Sequence, residues 1–180
     1  VDVAIDAWKA RSSSLYEKVK YVFDAALASG DLLVLANTAF DMAAVASMYP
    51  DLFATILAAY RTGRVHDVLR AEELHAIHAR HLGSDPRNGG PLRRPSDGKE
   101  SKRYSLEIVT DLVLGRRDAK DLDEYRLSYA LLDGLPVVAY PPAAREYPLD
   151  DVRNPLEIAR VQRGRNGNLY NLAFQTEAAF

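Results

Sequence analysis

The stretch LLVLANTAFDMA, Leu32 to Ala43, contains the two patterns on which the fold prediction depends. It begins with a continuous apolar run of strand length, which is typical of a strand buried on both faces. Asn37 ends this run, and a helix is predicted from about Ala39 to Met48, with Asp41 in its first turn. An acid at the exit of a strand has two interpretations. It stabilises the positive end of the helix dipole, or it holds a ligand where strands of α/β folds end.

The composition is that of an ordinary globular chain: its 180 residues can form one domain with a core, 48% of them are apolar and 27% are charged. The net charge of -2 gives no overall attraction to nucleic acid or to an anionic membrane, so such binding depends on local patches. The absence of cysteine excludes disulfides and thiolate metal sites and fits a cytoplasmic location. No apolar run reaches the roughly 18 residues of a spanning helix, so no membrane partner is predicted.

Helical spacing of apolar residues predicts further elements on both sides of this stretch. A strand followed by several helices indicates a helix-rich α/β fold, although one good strand is too few for a complete sheet. The predicted elements before residue 83 are a helix from Ser12–Ser14 to a cap at Gly30, a helix Asp51 to Arg61 after the Tyr49-Pro50 break, a short strand RVHDV and a helix VLRAEELHAIHARHL capped by Asp67. After residue 103 the sequence predicts a helix YSLEIVTDLVLG ended by Gly115. A long helical segment from Pro141-Pro142, interrupted at Pro148 and Pro155, and a last helix from about Asn168 complete the prediction.

Residues 83–103, GSDPRNGGPLRRPSDGKESKR, contain glycine, proline and charge and almost nothing to bury, which predicts a mobile loop. Between Arg87 and Arg103 it carries six basic residues and two acids, Asp97 and Glu100. A mobile basic loop could contact a DNA backbone, because phosphate contacts need only flexible positive charge. A solvated loop without a partner is an equally good interpretation.

Tyr147 and Asp151 lie four residues apart in the long helical segment, so they share one face of the helix. A phenol beside a carboxylate can orient a water molecule that a metal ion activates. Taken alone, the pair is better explained as a buried tyrosine and a surface aspartate. Pro148 and Pro155 each remove a helix hydrogen bond, and we expect them to bend or shift this pair.

Two motifs in this order resemble the second and third motifs of the DEDDy-type 3′–5′ exonuclease domain of DNA polymerases: N-x-x-(F/Y)-D at Asn37 to Asp41, and Y-x-x-x-D at Tyr147 to Asp151. The likeness to family A polymerases, the polymerase I-like enzymes of bacteriophages and bacteria, covers most of residues 15–180. It implies that residues 1–163 are a partial exonuclease domain and that residues 164–180 begin the connection to a polymerase domain. Five segments carry it in order: LLVLANTAFDMAAVA, RVHDVLRAEEL, YSLEIVTDLVLGR, YRLSYALLDGLPV and AAREYPLDDVRNPLEIA.

This resemblance implies a ribonuclease H-like fold and a nuclease that hydrolyses the 3′-terminal phosphodiester of DNA with two divalent ions, Mg²⁺ or Mn²⁺. In such a site Asp151 binds a metal ion, Asp41 binds the second ion directly or through water, and Tyr147 orients the attacking water. Asn37 and Phe40 position the terminal nucleotide or the turn that carries Asp41. The implied partners are the single-stranded 3′ end of DNA and the polymerase domain of the same parent chain.

The Asp-x-Glu pair that such domains carry on their first strand is absent. Asp6 in VAIDAW is the nearest candidate, but Trp8 stands where the glutamate belongs. The chain begins with Val1 rather than Met and ends in QTEAAF without a cap, so we expect a fragment truncated at both ends and lacking the first strands of its sheet. We therefore expect a weak or inactive nuclease, and the alternative is a non-catalytic DNA-binding or structural remnant of the domain.

The histidines allow two other metal sites, both less well supported. His75, His78 and His81 form H-x-x-H-x-x-H, in which the first two can share a helix face but the third points well round the helix, so a solvated set is favoured. His66-Asp67 is the dipeptide of HD-type metal phosphohydrolases, yet no histidine precedes it, and Asp67 is more simply explained as a helix cap.

Overall fold

The computed structural model describes residues 15–116, 132, 135 and 137–177, with the backbone alone at 15, 137, 147 and 166–177. Strands β1 and β2 pair in a two-stranded parallel sheet, so the described part is a helix-rich α/β arrangement. Short 3₁₀ helices span Pro50–Leu52 and Val137–Ala139. The elements in chain order are α1 Leu15–Ser29, β1 Leu33–Leu35, α2 Thr38–Met48, α3 Phe53–Arg61, β2 Val65–Asp67, α4 Val68–His78, α5 Leu106–Leu114 and α6 Pro142–Glu177.

These elements belong to two compact units. The described residues of the first unit are 15–33, 38–66 and 174–177, which include α1, α2 and α3. Those of the second unit are 34–37, 67–116, 132, 135 and 137–173, which include α4, α5 and most of α6.

The first unit is a small helical assembly in which α1 packs on α3. Helix α2 packs on α3 and on the 3₁₀ helix Pro50–Leu52 that lies between them in the chain. Gly30 ends α1 as predicted, with a left-handed φ of +79° and its N–H donating to the Ala26 carbonyl at 3.0 Å. Tyr49, before Pro50, leaves the helical conformation with φ of -136° and ψ of 76°, so α2 also ends where predicted. The buried apolar residues are Phe23, Ala26, Met42, Leu52, Ile56, Ala59 and Val65.

The second unit is built around α4, α5 and α6. Ser105 caps α5 by accepting the Ile108 N–H. Gly115 ends the helix in a left-handed conformation, as the sequence predicts. Asp67 caps α4 by accepting the N–H groups of Leu69 and Arg70, at 2.9 and 3.2 Å, which confirms the predicted cap. The core residues are Val68, Ala76, Leu92, Tyr104, Ile108, Val109, Val113, Ile158 and Ala159.

Segment 83–103 differs from the expectation that it has almost nothing to bury. Leu92 is only 1% exposed and belongs to the core of the second unit. Antiparallel bridges pair Ser84 with Pro91 and Arg93 with Glu100, so the segment folds back on itself. The predicted mobility of the segment is a separate question and stays a prediction.

The predicted interruption of the long helix is wrong, because α6 is continuous from Pro142 to Glu177 through both Pro148 and Pro155. The region near Asn168 is part of the same helix and does not begin a new one. A proline removes one N–H and crowds one carbonyl, while the surrounding residues keep their hydrogen bonds. Pro155 is also buried, and the burial of its ring offsets part of that cost.

Strand β1 is shorter and less buried than predicted. Its three residues are each half-buried, where the apolar run suggested a strand covered on both faces. In a sheet of two described strands each strand has one neighbour, so its other edge and part of its faces are left to other elements or to solvent. The N-terminal candidate strand with Asp6 and the segment 117–131, predicted to be irregular, lie outside the described residues.

Candidate functional site

The junction between β1 and α2 carries the first predicted motif. Asn37 adopts a left-handed conformation with φ of +67°, which asparagine tolerates better than most residues. Thr38 then begins α2, and Asp41 lies half-buried in its first turn. The Phe40 side chain is 69% exposed, which is unusual for an aromatic ring and makes it accessible to a ligand. The junction therefore has the strand, turn and helix that the motif predicts.

The second predicted motif lies on α6. Asp151 is exposed, and Tyr147 precedes it by four residues on the same continuous helix, although the atoms of the tyrosine ring lie outside the described part. An exposed carboxylate is accessible to a ligand from solvent, and folding does not have to offset the cost of burying its charge. The helical spacing of the pair is as predicted.

The two motif aspartates belong to different units: Asp41 lies in the first unit, whereas Asp151 lies in the second, as does Asn37. The joint metal site of these carboxylates therefore stays a prediction. Their oxygen donors suit Mg²⁺ or Mn²⁺, which are hard ions. Within residues 15–116 and the described residues from 132 onward, no group of three or more histidine or acidic side chains is placed to hold a metal ion.

His75 and His81 come together in a way that helical spacing did not predict. Helix α4 ends at His78, and Arg80 is left-handed with φ of +61°. The His81 N–H then donates to the Ala76 carbonyl at 2.9 Å, which turns the chain back. As a result the rings of His75 and His81 meet edge to face with centroids 6.0 Å apart. The prediction that the third histidine points away was wrong because it assumed that the helix continues.

Arg87 is the centre of an ion cluster in segment 83–103. Its guanidinium donates to both carboxylate oxygens of Asp85, at 2.9 and 2.7 Å, and to Asp111 of α5 at 2.7 Å. These hydrogen bonds from Arg87 hold the pKa of Asp85 below its usual value, against the opposing effect of burial. The cluster ties segment 83–103 to α5, so Arg87 stabilises the folded structure.

The other charges of the segment are also largely paired. Arg93 lies 3.1 Å from Glu100, and Arg94 and Lys99 lie 2.6 and 3.6 Å from Asp97. The backbone N–H of Lys99 and the two nearby cations lower the pKa of Asp97. Four of the six basic residues counted in the sequence thus have an acidic partner, which weakens the interpretation of the segment as a DNA contact.

A buried polar contact joins α6 to α4, and sequence reasoning missed it. Gln162 is fully buried and donates to the Val68 carbonyl and to the Glu72 carboxylate, both at 3.0 Å. The Arg165 guanidinium lies 3.8 Å from the other Glu72 oxygen. A buried carboxylate with these partners fixes the register of the two helices. The partners lie about 90 residues apart in sequence, so no local pattern indicates the contact.

The chain matches no protein-family model, no curated protein and no solved structure with which it was compared. Among the helices that the structure describes, none has both the length and the apolar composition that crossing a bilayer requires.

Proposed function

We propose that the chain is part of the 3′–5′ exonuclease region of a family A DNA polymerase, which hydrolyses the 3′-terminal phosphodiester of DNA. The β1–α2 junction carries the proposal. It places N-x-x-F-D at the carboxyl end of a strand in a parallel sheet, with Asn37 left-handed and Asp41 in the first turn of the helix. Ligands of α/β folds bind at this end of the strands. A ribonuclease H-like arrangement and a cytoplasmic location belong to the same proposal.

In this proposal Asp41 and Asp151 are the metal ligands, and Tyr147 orients the attacking water. Asn37 and Phe40 position the terminal nucleotide, and the exposed ring of Phe40 can stack on its base. Bound Mg²⁺ or Mn²⁺ supplies Lewis-acid stabilisation of the charge that develops during phosphodiester hydrolysis. The partners are the single-stranded 3′ end and the polymerase domain.

The alternative function is that of a non-catalytic DNA-binding or structural remnant of the same domain. It shares the fold and the partners but needs no bound metal. Metal binding that depends on the two motif aspartates therefore distinguishes the two functions.

Calorimetric titration of the chain with Mn²⁺ tests the proposal. We expect binding by the unchanged chain and at least tenfold weaker binding by D41N/D151N, since each substitution removes a negatively charged ligand but keeps the side-chain shape. The control D31N/D150N makes the same chemical change at two exposed aspartates outside the two motif positions and should bind as the unchanged chain does. Circular dichroism verifies that both variants fold.

Equal titration curves for all three proteins, or no Mn²⁺ binding by the unchanged chain, would overturn the metal-site proposal. As a second measurement, digestion of single-stranded DNA by the chain alone should be weak or absent, because Asp41 and Asp151 are about half of the carboxylates that a two-metal site needs. Digestion at an ordinary enzymatic rate would show that the missing Asp-x-Glu pair is dispensable or replaced.

A further inference from the structure

Helix α6 carries four exposed arginines on one face, which we call the arginine stripe: Arg145, Arg153, Arg160 and Arg163. At 3.6 residues per turn they fall within an arc of about 80°. From the first to the last, the helix rises about 27 Å. The four side chains therefore form a row along the helix.

The orientation of the arginine stripe is fixed by burial of the opposite side of α6. Asn154, Ile158 and Gln162 are buried in the second unit, and Gln162 is hydrogen-bonded to α4. Because this side is held by the core, the arginines on the other side face solvent. The row is thus a surface feature of a packed helix.

Most of the acids beside the arginine stripe are already paired. Glu146 and Asp150 lie 3.3 and 3.6 Å from Arg153, and Glu157 lies 2.8 Å from Arg116. Arg145, Arg160 and Arg163 form no salt bridge within the part of the chain that the structure describes. Among the described side chains, these three guanidinium groups on one face therefore have no acidic partner.

We propose that the arginine stripe binds the phosphate backbone of a single nucleic-acid strand. Guanidinium groups bind phosphate oxygens in a two-pronged geometry and remain charged at any physiological pH. The intervals between the arginines are unequal, about 12, 10 and 5 Å along the axis, and a flexible strand can adjust its phosphates to them. Charge complementarity thus favours a strand over a rigid partner.

The side chains between the arginines indicate binding without base recognition. Leu149 and Val152, at 44% and 61% exposure, have no hydrogen-bond donors for base edges. An anionic membrane would need a broad apolar face beside the cations, and these two side chains are too few to provide one. The expected binding is independent of base sequence and sensitive to salt.

This interaction goes beyond the proposed nuclease function, because it requires neither a metal ion nor Asp41 and Asp151. Its test is therefore performed in EDTA, where no metal-dependent reaction can contribute. Loss of Mn²⁺ binding with retained oligonucleotide binding would overturn the metal site alone. The reverse result would overturn the arginine stripe alone.

The experiment measures fluorescence anisotropy of a labelled oligothymidine of about 20 nucleotides, longer than the arginine stripe. Three contacts at a slope of about -0.7 each predict a log–log salt dependence near -2, or roughly 20-fold weaker binding between 50 and 200 mM salt. The variant R145Q/R160Q/R163Q should bind at least tenfold more weakly at the lower salt. The matched control R93Q/R94Q/K99Q removes the same charge from segment 83–103 and should stay within about twofold.

Equal losses in the two triple variants would show that only net charge matters, and an unaffected stripe variant would show that binding occurs elsewhere. Either result overturns the proposal, as does a preference for phosphatidylserine vesicles over the oligonucleotide. If the stripe variant does not fold, R145K/R160K/R163K replaces it. That variant keeps the charge, so it should retain the salt slope with weaker binding, and a lost slope would contradict the proposal.

Discussion

Segment 83–103 and the arginine stripe are two basic regions of the same unit, and they differ in what happens to their charge. In the segment, Arg87, Arg93, Arg94 and Lys99 all form salt bridges. In the arginine stripe, only Arg153 does so among the described side chains. The number of basic residues in a stretch therefore does not predict its free positive charge. The placement of nearby acids decides it.

Backbone geometry explains this difference. The turns of the segment bring residues two or three apart into contact, so Asp85 meets Arg87 and Asp97 meets Arg94. On α6 the arginines recur after eight, seven and three residues, and the acids fall on the flank of the row. Pairing in the segment also fastens it to α5 through Asp111, whereas an exposed pair on α6 adds about 0–1 kcal/mol at most.

The largest expected effect tests whether the segment is anchored. Leu92→Ala removes a core side chain and should lower the free energy of unfolding by about 2–5 kcal/mol. Leu149→Ala makes the same change at an exposed position of the arginine stripe and should stay within about 0.5 kcal/mol. Urea denaturation followed by circular dichroism measures both. An L92A variant as stable as L149A would show that Leu92 does not anchor the segment and would support the mobile loop that its composition predicts.

The next effect concerns the ion cluster of the segment. Asp85→Asn removes the negative charge that Arg87 binds through two hydrogen bonds. This change should lower the free energy of unfolding by about 1–3 kcal/mol at neutral pH. Asp150→Asn removes the weaker, exposed partner of Arg153 and should change it by less than about 0.5 kcal/mol. Equal effects at the two positions would mean that the burial of Asp85 adds nothing.

The same variant has a defined pH dependence. Because Arg87 lowers the pKa of Asp85 in the folded state, its stabilisation is complete above the ordinary aspartate pKa of about 4. It is lost as the pH falls through the lower, folded-state pKa. The urea midpoints of the unchanged chain and D85N should therefore converge in strong acid, and a constant gap down to the lowest pH would contradict the ion pair.

The features that the sequence predicted correctly depend on neighbouring residues. The cap at Asp67, the stop at Gly115 and the break at Tyr49-Pro50 each follow from the conformational preference of one or two residues. The β1–α2 junction with Asp41 is of the same kind. For this reason the helices that the structure describes were predicted with small errors at their ends, apart from the supposed breaks in α6.

The features that the sequence did not predict depend on residues that lie far apart in the chain. Nothing near Leu92 indicates that it joins a core, and the partner Asp111 lies 24 residues from Arg87. The candidate metal site has the same difficulty. Asp41 and Asp151 each lie in a recognisable local motif, but whether they meet depends on tertiary packing that no local pattern encodes.

The smallest expected effect tests directly whether the placement of acidic partners or the net charge of the chain determines oligothymidine binding. Glu157→Gln removes the acidic partner of Arg116, which stays beside α6 through its hydrogen bond to Asn154 at 3.1 Å. One more guanidinium next to the arginine stripe should tighten oligothymidine binding about two- to fivefold and steepen the salt slope by about 0.7.

Glu100→Gln is the matched change in the other region, because it removes the acidic partner of Arg93. Both variants raise the net charge by one, so a protein that responds only to net charge would bind more tightly in both. If the placement of acids determines binding, E100Q stays within about twofold of the unchanged chain while E157Q binds more tightly. Only the second change adds a cation beside a row in which, among the described side chains, Arg153 alone has acidic partners. Equal tightening by the two variants would contradict the difference between the regions, since the pairing of each arginine would then have no effect on binding.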